Sequence, residues 1–361
     1  MDLPVIWFVA IAILWTGYFV LEGFDFGVGV LLPVVGRDNV DRRVVINSIG
    51  PVWDGNEVWL ITAVGAMFAA FPAWYASMLS GLYLPMLLIL LALIVRGVAF
   101  EYRGKVDSDR WRAAWDKAIV VGSLLPAVLW GVVFGNVVRG LQVDADQIVV
   151  GGLSDLVNPY SLLGGLTTLA LFTLHGAVFL TLKTDGPVRR RARTAALRTA
   201  VATVPLLVLF VAWTQVAHGG GWTAPLAALA AGALVVGVLL AARGREGWSF
   251  TATATSIAAA TALLFGALFP DVLPSTIDPA HSLTVWNAAS APYTLTVVSW
   301  VTLVALPVVI GYQAWSYWVF RRRVTREHIE PAPAYGGQGG AHASVRLPAA
   351  RSEPPVPPIA G

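Results

Sequence analysis

The sequence predicts an all-α integral membrane protein of nine transmembrane helices, with the N-terminus outside and the C-terminus in the cytoplasm. Three observations predict it. Hydrophobic residues make up 57% of the 361 and charged residues only 12%, against about a quarter charged in a soluble domain. Nine apolar stretches reach the roughly 20 residues that a helix needs to cross the hydrocarbon core. Lysine and arginine fall in alternate loops, the asymmetry that sets orientation.

Taken in order, the stretches are 7–35, 53–71, 78–100, 119–138, 161–182, 195–216, 222–241, 250–268 and 295–320. The first is expected to be retained, because Met1-Asp2-Leu3-Pro4 lacks a basic leader and the apolar run outlasts a signal sequence. Arg37, Arg42 and Arg43 follow the first stretch. Arg103, Lys105, Arg110, Arg112 and Lys117 follow the third, Lys183, Arg189, Arg190, Arg191 and Arg193 the fifth, and Arg243 and Arg245 the seventh. Arg321, Arg322 and Arg323 close the ninth and read as a topology anchor, whereas the remaining loops hold Arg139 alone. Adding or dropping a span would break this alternation. Residues 1–323 therefore form the transmembrane domain. Residues 324–361, rich in Pro, Gly and Ala, are expected to be a disordered cytoplasmic tail.

Several chemistries are excluded. Without cysteine there are no disulfides, iron–sulfur clusters or thiolate metal sites. Haem held by two side chains needs facing ligands inside the bundle, yet His218 and His281 fall in outer loops, His328 and His342 in the tail, and only His175 within a span. The chain is therefore expected to bind no haem or metal of its own, and no phosphate loop or nucleophile elbow is present. No nucleic-acid partner is expected. Of the tryptophans, Trp7, Trp53, Trp59, Trp74, Trp222, Trp300, Trp315 and Trp318 lie near span ends and read mostly as interface anchors.

The informative residues are charges inside the spans. Glu22 and Asp25 sit in the first span, Asp54 and Glu57 open the second, and Arg96 and Glu101 end the third. Each charge at membrane depth costs about 2.5–3.5 kcal/mol, so partners are implied. Glu22 and Asp25 are i and i+3, as are Asp54 and Glu57, so each pair can share a helix face. Glycines 23, 27 and 29 lie among the acids and would let helices approach closely. By the predicted topology, all these groups and His175 belong to the cytoplasmic half. That is a half-channel, suited to bringing protons from one side to a reaction inside the membrane. Carboxyls suit this work because their proton affinity responds to burial and neighbouring charge. Other readings stay open: Asp54 and Glu57 as helix N-terminal acids, Arg96 as a static counter-ion, Glu101 as interfacial, and His175 as a packing residue.

Five stretches carry a resemblance that covers all nine spans: Gly23-Phe24-Asp25-Phe26-Gly27-Val28-Gly29, Arg42-Arg43-Val44-Val45-Ile46-Asn47-Ser48-Ile49, Pro51-Val52-Trp53-Asp54-Gly55-Asn56-Glu57-Val58-Trp59-Leu60-Ile61, Arg96-Gly97-Val98-Ala99-Phe100-Glu101-Tyr102-Arg103 and Asn287-Ala288-Ala289-Ser290-Ala291-Pro292-Tyr293-Thr294-Leu295. In these the chain resembles subunit II of the cytochrome bd-type quinol oxidases. The resemblance implies two four-helix bundles plus one peripheral helix, paired about a pseudo-twofold axis with a homologous subunit I in a bacterial cytoplasmic membrane. It implies oxidation of menaquinol or ubiquinol and reduction of dioxygen to water, electrogenic without pumping, with the chain alone not catalytic. Haem b558, haem b595 and haem d are implied for the partner, small single-span accessory subunits are implied for the complex, and a structural quinone or lipid is left open. The family's proton pathway maps onto Glu22, Asp25 and Asp54, with Glu101 in a related acidic position; Glu57 joins them, and Arg96, Trp53 and Asn56 give electrostatic support. Val52 stands where some relatives have histidine, and Glu22 and Glu101 where some have aspartate. The alternatives are a proton-coupled secondary transporter, which would favour a midplane site and internal repeats, and a purely structural scaffold.

Overall fold

The computed structural model describes residues 2–329. These form twelve α-helices: α1 (Leu3–Val35), α2 (Asn39–Ile49), α3 (Trp53–Ala70), α4 (Pro72–Gly81), α5 (Tyr83–Tyr102), α6 (Asp109–Arg139), α7 (Leu153–Leu156), α8 (Pro159–Lys183), α9 (Gly186–Ala217), α10 (Ala224–Ala242), α11 (Glu246–Leu268) and α12 (Pro292–Val319). Eight of them, α1, α5, α6 and α8–α12, are long and apolar enough to cross a membrane. The eighteen-residue α3 falls short because Asp54, Asn56 and Glu57 crowd its first turns.

The helices differ from the expected spans mainly at their ends. α6 and α9 start about ten residues before the apolar runs expected at 119 and 195, carried outward by turns rich in arginine and alanine. Both starts are capped: Ser108 Oγ accepts from Trp111 N–H, and Asp185 Oδ1 from Gly186 N–H. Pro72, which cannot donate a backbone bond, opens the separate helix α4, so residues 78–81 belong to it and the next long helix begins at Tyr83. The loop after α1 holds the short helix α2. Its cap Asp38 accepts from Asp41 N–H at 2.8 Å, and this bond, with Arg326 nearby, holds the Asp38 carboxyl below the usual carboxylate range. The all-α expectation misses one small hairpin, β1 (Asp271–Leu273) paired antiparallel with β2 (Leu283–Thr284), in the connection before α12.

α1 lies at the centre, packed against α3, α6, α8 and α11. α5 packs on α6, α8 on α9, α9 on α10, and α10 on α11, while α12 touches only α3 and α1 to any extent and has Leu295 as its one buried residue. The α1–α8 crossing is backbone on backbone. A Cβ on Gly27 would lie 1.9 Å from the Phe172 carbonyl oxygen, and one on Gly176 would lie 2.5 Å from the Gly27 carbonyl carbon. Small residues are what such an approach requires. Trp7 and Trp74 correct the anchor reading, since both are buried. The Trp7 indole N–H donates to Ser299 Oγ of α12 at 3.0 Å, and Trp74 sits against Phe8 and Phe71. Trp222, Trp300, Trp315 and Trp318 are exposed as expected.

Ion pairs gather the arginine-rich segments at one end. Asp116 of α6 accepts from Arg42 at 2.8 Å and from Arg103 at 2.5 Å. Asp41 pairs with Arg191 and Arg326, and Glu246 with Arg189 and Arg323, each at 2.8 Å. Val324 N–H donates to the Lys183 carbonyl at 2.7 Å, which seats the segment after α12 beside α8. The remainder of the expected tail, 330–361, lies outside the described residues.

Gly27→Ala should destabilise the protein by about 1–3 kcal/mol through overpacking. Gly65→Ala, directed into open space beside an apolar cavity of about 530 Å³ between α3, α4 and α5, should be close to neutral. Thermal denaturation of the two purified variants in detergent checks the contrast.

Candidate functional site

Four helices place a polar cluster beside the Gly27 crossing. Glu22 and Asp25 lie one turn apart on α1, both wholly buried. Arg96 reaches in from α5, and its Nη2 donates to Glu22 Oε1 and, at 2.9 Å, to Glu57 Oε1 of α3. Glu22 and Arg96 are out of contact with solvent, whereas 21% of the Glu57 side chain remains exposed. The guanidinium also stands over two aromatic faces, 4.8 Å from the Phe26 centroid and 5.6 Å from Phe100. Gly122 of α6 gives Arg96 its room, since a Cβ there would lie 2.8 Å from Arg96 Cβ.

Asn56 links this group to the last helix. Its Nδ2 donates to Asp25 Oδ2 at 2.7 Å, while its Oδ1 accepts from Tyr317 OH at 2.8 Å and from Gln313 Nε2 at 3.1 Å. Nδ2 also faces the Leu21 carbonyl at 3.5 Å, and because a carbonyl can only accept, it sets which way the amide faces and so keeps its N–H on the carboxyl. Glu22 Oε2, Asp25 Oδ1, and Arg96 Nε and Nη1 are buried with no protein partner. Polar atoms in that condition are those that ordered water or a shared proton satisfies.

The expected site residues thus divide. Glu22, Asp25, Asn56, Glu57 and Arg96 come together in one network. Trp53 supports it indirectly, with its ring 5.2 Å from that of Phe100. Asp54 and Glu101 are exposed, and their side chains make no hydrogen bond or ion pair among the described residues. Gln313 and Tyr317 were missed; the available signal was a pair of large polar side chains four residues apart, on one helix face, in a final span otherwise without amides or charges.

On its other side the cluster meets an aromatic layer. Trp15, Tyr18, Phe19, Trp130 and Phe134 interlock with centroid separations such as 5.0 Å for Trp15–Trp130 and 4.9 Å for Trp15–Phe134, and Trp130 Nε1 donates to Tyr18 OH at 3.0 Å. The one acid of the network with exposed surface, Glu57, lies in the first turns of α3.

His175 packs elsewhere. Its Nδ1 meets Thr253 Oγ1 at 2.7 Å, its Nε2 meets the Val20 carbonyl at 3.2 Å, and its ring stacks on Phe250 at 4.6 Å. With both nitrogens engaged within the chain, it does not fit as an axial ligand to haem. No group of three or more histidines and acids able to hold a metal ion occurs among the described residues.

The fold and cluster define a class, a multi-pass helical membrane protein with buried, mutually paired ionisable groups. Residues 3–320 match the family described as cytochrome bd terminal oxidase subunit II. The chain is 44% identical over 331 residues to cytochrome bd ubiquinol oxidase subunit 2 of Bacillus subtilis strain 168, covering 90% of this chain and 97% of that one. It is 36% identical over 363 residues to cytochrome bd-I ubiquinol oxidase subunit 2 of Escherichia coli K12, covering 90% and 96%. In fold it is similar to a chain of the bd oxidase from Geobacillus thermodenitrificans, with a TM-score of 0.73 at 20% identity, covering 89% of this chain and 99% of that chain. The chain belongs to the cytochrome bd terminal oxidase subunit II family.

Arg96→Gln should cost about 3–5 kcal/mol by leaving Glu22 and Glu57 buried without their cation. Glu22→Gln/Arg96→Gln should recover part of that loss. Yield of assembled protein and thermal stability of the single and double variants measure the coupling.

Proposed function

We propose that this chain is the haem-free subunit II of a quinol:oxygen oxidoreductase and that its buried cluster passes protons from the cytoplasm towards the partner subunit. The carrying observation is that three carboxyls, those of Glu22, Asp25 and Glu57, are linked through Arg96 and Asn56 in a buried network at the arginine-rich end. Groups this close take up and release protons as a set rather than singly. Glu57, still partly exposed, receives a proton from the cytoplasmic side, with exposed Asp54 collecting protons outside it. Arg96 holds Glu57 and Glu22 within transfer distance of one another. Asp25 is the inner station and Asn56 keeps its carboxyl oriented. Glu101 lies at the same end as a second collecting acid.

Nine spans result once α3 is counted, because Asn56 is buried and Glu57 largely so within the protein, while exposed Asp54 sits at the very start of the helix. Two four-helix bundles, α1/α3/α5/α6 and α8–α11, with α12 peripheral, are supported by the α5–α6, α8–α9 and α10–α11 packing, with α8 joining the two sets through α1 and α6. The positive-inside rule places the arginine-rich end in the cytoplasm and the N-terminus outside, in the cytoplasmic membrane of a bacterium. The engagement of His175 within the chain supports the haem-free reading, with haems b558, b595 and d in a subunit I paired with this chain and single-span accessory subunits beside them. The relatives' names specify ubiquinol, and menaquinol fits the same reaction class. When bound in the partner, the haems supply the electron transfer to dioxygen. Because protons consumed there come from one side, the reaction builds a membrane potential without pumping. A proton-coupled transporter would share the buried acids, but the family membership favours the oxidase.

Asp25→Asn, in an intact complex with full haem content, should lower quinol-dependent oxygen uptake by about tenfold or more, the scale of a lost proton-transfer group. Asp54→Asn should have a smaller effect. Undiminished uptake in Asp25→Asn, measured with an oxygen electrode on haem-normalised enzyme, would remove Asp25 from the pathway.

A further inference from the structure

At the arginine-rich end, the turn leaving α1 and the first turns of α9 enclose a concavity of about 300 Å³ lined by Arg37, Pro187, Arg190, Arg191 and Thr194. Arg42, Arg103, Arg189, Arg323 and Arg326 at the same end are paired with acids. Arg37 and Arg190 have no acid partner among the described residues. Arg191 is tied by Nη2 to Asp41, which fixes the side chain, while its Nε is buried without a hydrogen-bond partner. Asp41 is shared with Arg326, so the concavity holds three guanidinium groups and no unpaired carboxylate. Guanidinium forks match phosphate oxygens in both charge and geometry.

The surface beside the concavity distinguishes the source of that phosphate. Arg190, Thr194, Leu197 and Val201 follow at i, i+4, i+7 and i+11, one stripe of α9, and all four are exposed. Val201 is 78% exposed, and Val34 stands exposed on α1 just before Arg37. A charged cup thus continues into an uncovered aliphatic track, bordered by exposed Arg198, that runs into the span of α9. A free anion would need only the cup.

We propose that Arg37, Arg190 and Arg191 form a binding site for the phosphodiester headgroup of an anionic phospholipid in the cytoplasmic leaflet, with an acyl chain laid along Leu197 and Val201. Arg191 is pre-positioned by Asp41, while Arg37 and Arg190 close on the phosphate from the two helices. The bound lipid joins the end of α1, the helix that bears Glu22 and Asp25, to the start of α9.

The purified complex, delipidated and exposed to vesicles of phosphatidylglycerol or of phosphatidylcholine, is to be examined by native mass spectrometry for retained lipid. Phosphatidylglycerol should be retained and phosphatidylcholine should not. Arg37→Gln/Arg190→Gln should weaken retention roughly 30-fold, at the scale known for basic residues near an anionic surface, with the haem spectrum unchanged; Arg37→Lys/Arg190→Lys should restore part of it. Equal retention by the double variant, or displacement of the lipid by millimolar inorganic phosphate, would overturn the proposal. Should the double variant not assemble, a photoactivatable phosphatidylglycerol on the unaltered complex decides: labelling of residues 190–201 supports the site, and labelling confined to other segments refutes it.

Discussion

One guanidinium, wholly removed from solvent, joins three helices through two carboxyls, and the rest of the site is arranged around that fact. Burying Arg96 between Phe26 and Phe100 is tolerable only because Glu22 and Glu57 meet it directly. Aromatic faces add attraction without competing for its hydrogens. With Asp25 beside them there are three carboxyls to one cation, so the charge of the set depends on how many protons it holds. A static ion pair would need no third acid. The proposed relay requires the number of bound protons to change, and three carboxyls to one cation are compatible with that.

Asn56 extends the same logic to α12. That helix is almost wholly exposed, yet it supplies two hydrogen bonds to the Asn56 amide oxygen. The peripheral helix thereby reaches a wholly buried carboxyl three residues from Glu22 through one side chain. The Trp7–Ser299 bond pins the opposite end of α12 to α1. Three hydrogen bonds, one near the start of the helix and two near its end, tie α12 to α1 and α3.

Much of this was legible in the sequence. The apolar runs predicted the long helices, and Glu22, Asp25 and Arg96 stood out because charge within a span is costly. The Trp-Asp-Gly-Asn stretch and its companions carried the family resemblance, which the matches confirm. What was not legible depends on contacts distant in sequence. Asp54 and Glu57 share a spacing that suggested a common role, but only Glu57 faces Arg96. The basic loops read as topology signals, and nothing local reveals that Asp116, Asp41 and Glu246 pair with them. Trp7 and Trp74 looked like interface residues because their burial depends on α12 and on the packing of Phe8 and Phe71. Helix ends shifted where arginine and alanine continued a helix past its apolar portion.

The aromatic layer of Trp15, Tyr18 and Trp130 packs against the cluster on the side away from the arginines, and in the proposed pathway it is the closed end. Family membership supplies the context in which such a path has a use. The central claim is that protons enter through these carboxyls from the arginine-rich face. It is tested most directly by reconstituting the complex in vesicles of known orientation, with a pH dye on one side and then on the other during quinol oxidation by oxygen. The account predicts proton consumption on the face bearing the arginine-rich loops, with its rate sharply reduced by Glu22→Gln. Consumption on the opposite face, or an unaltered rate in that variant, would contradict it.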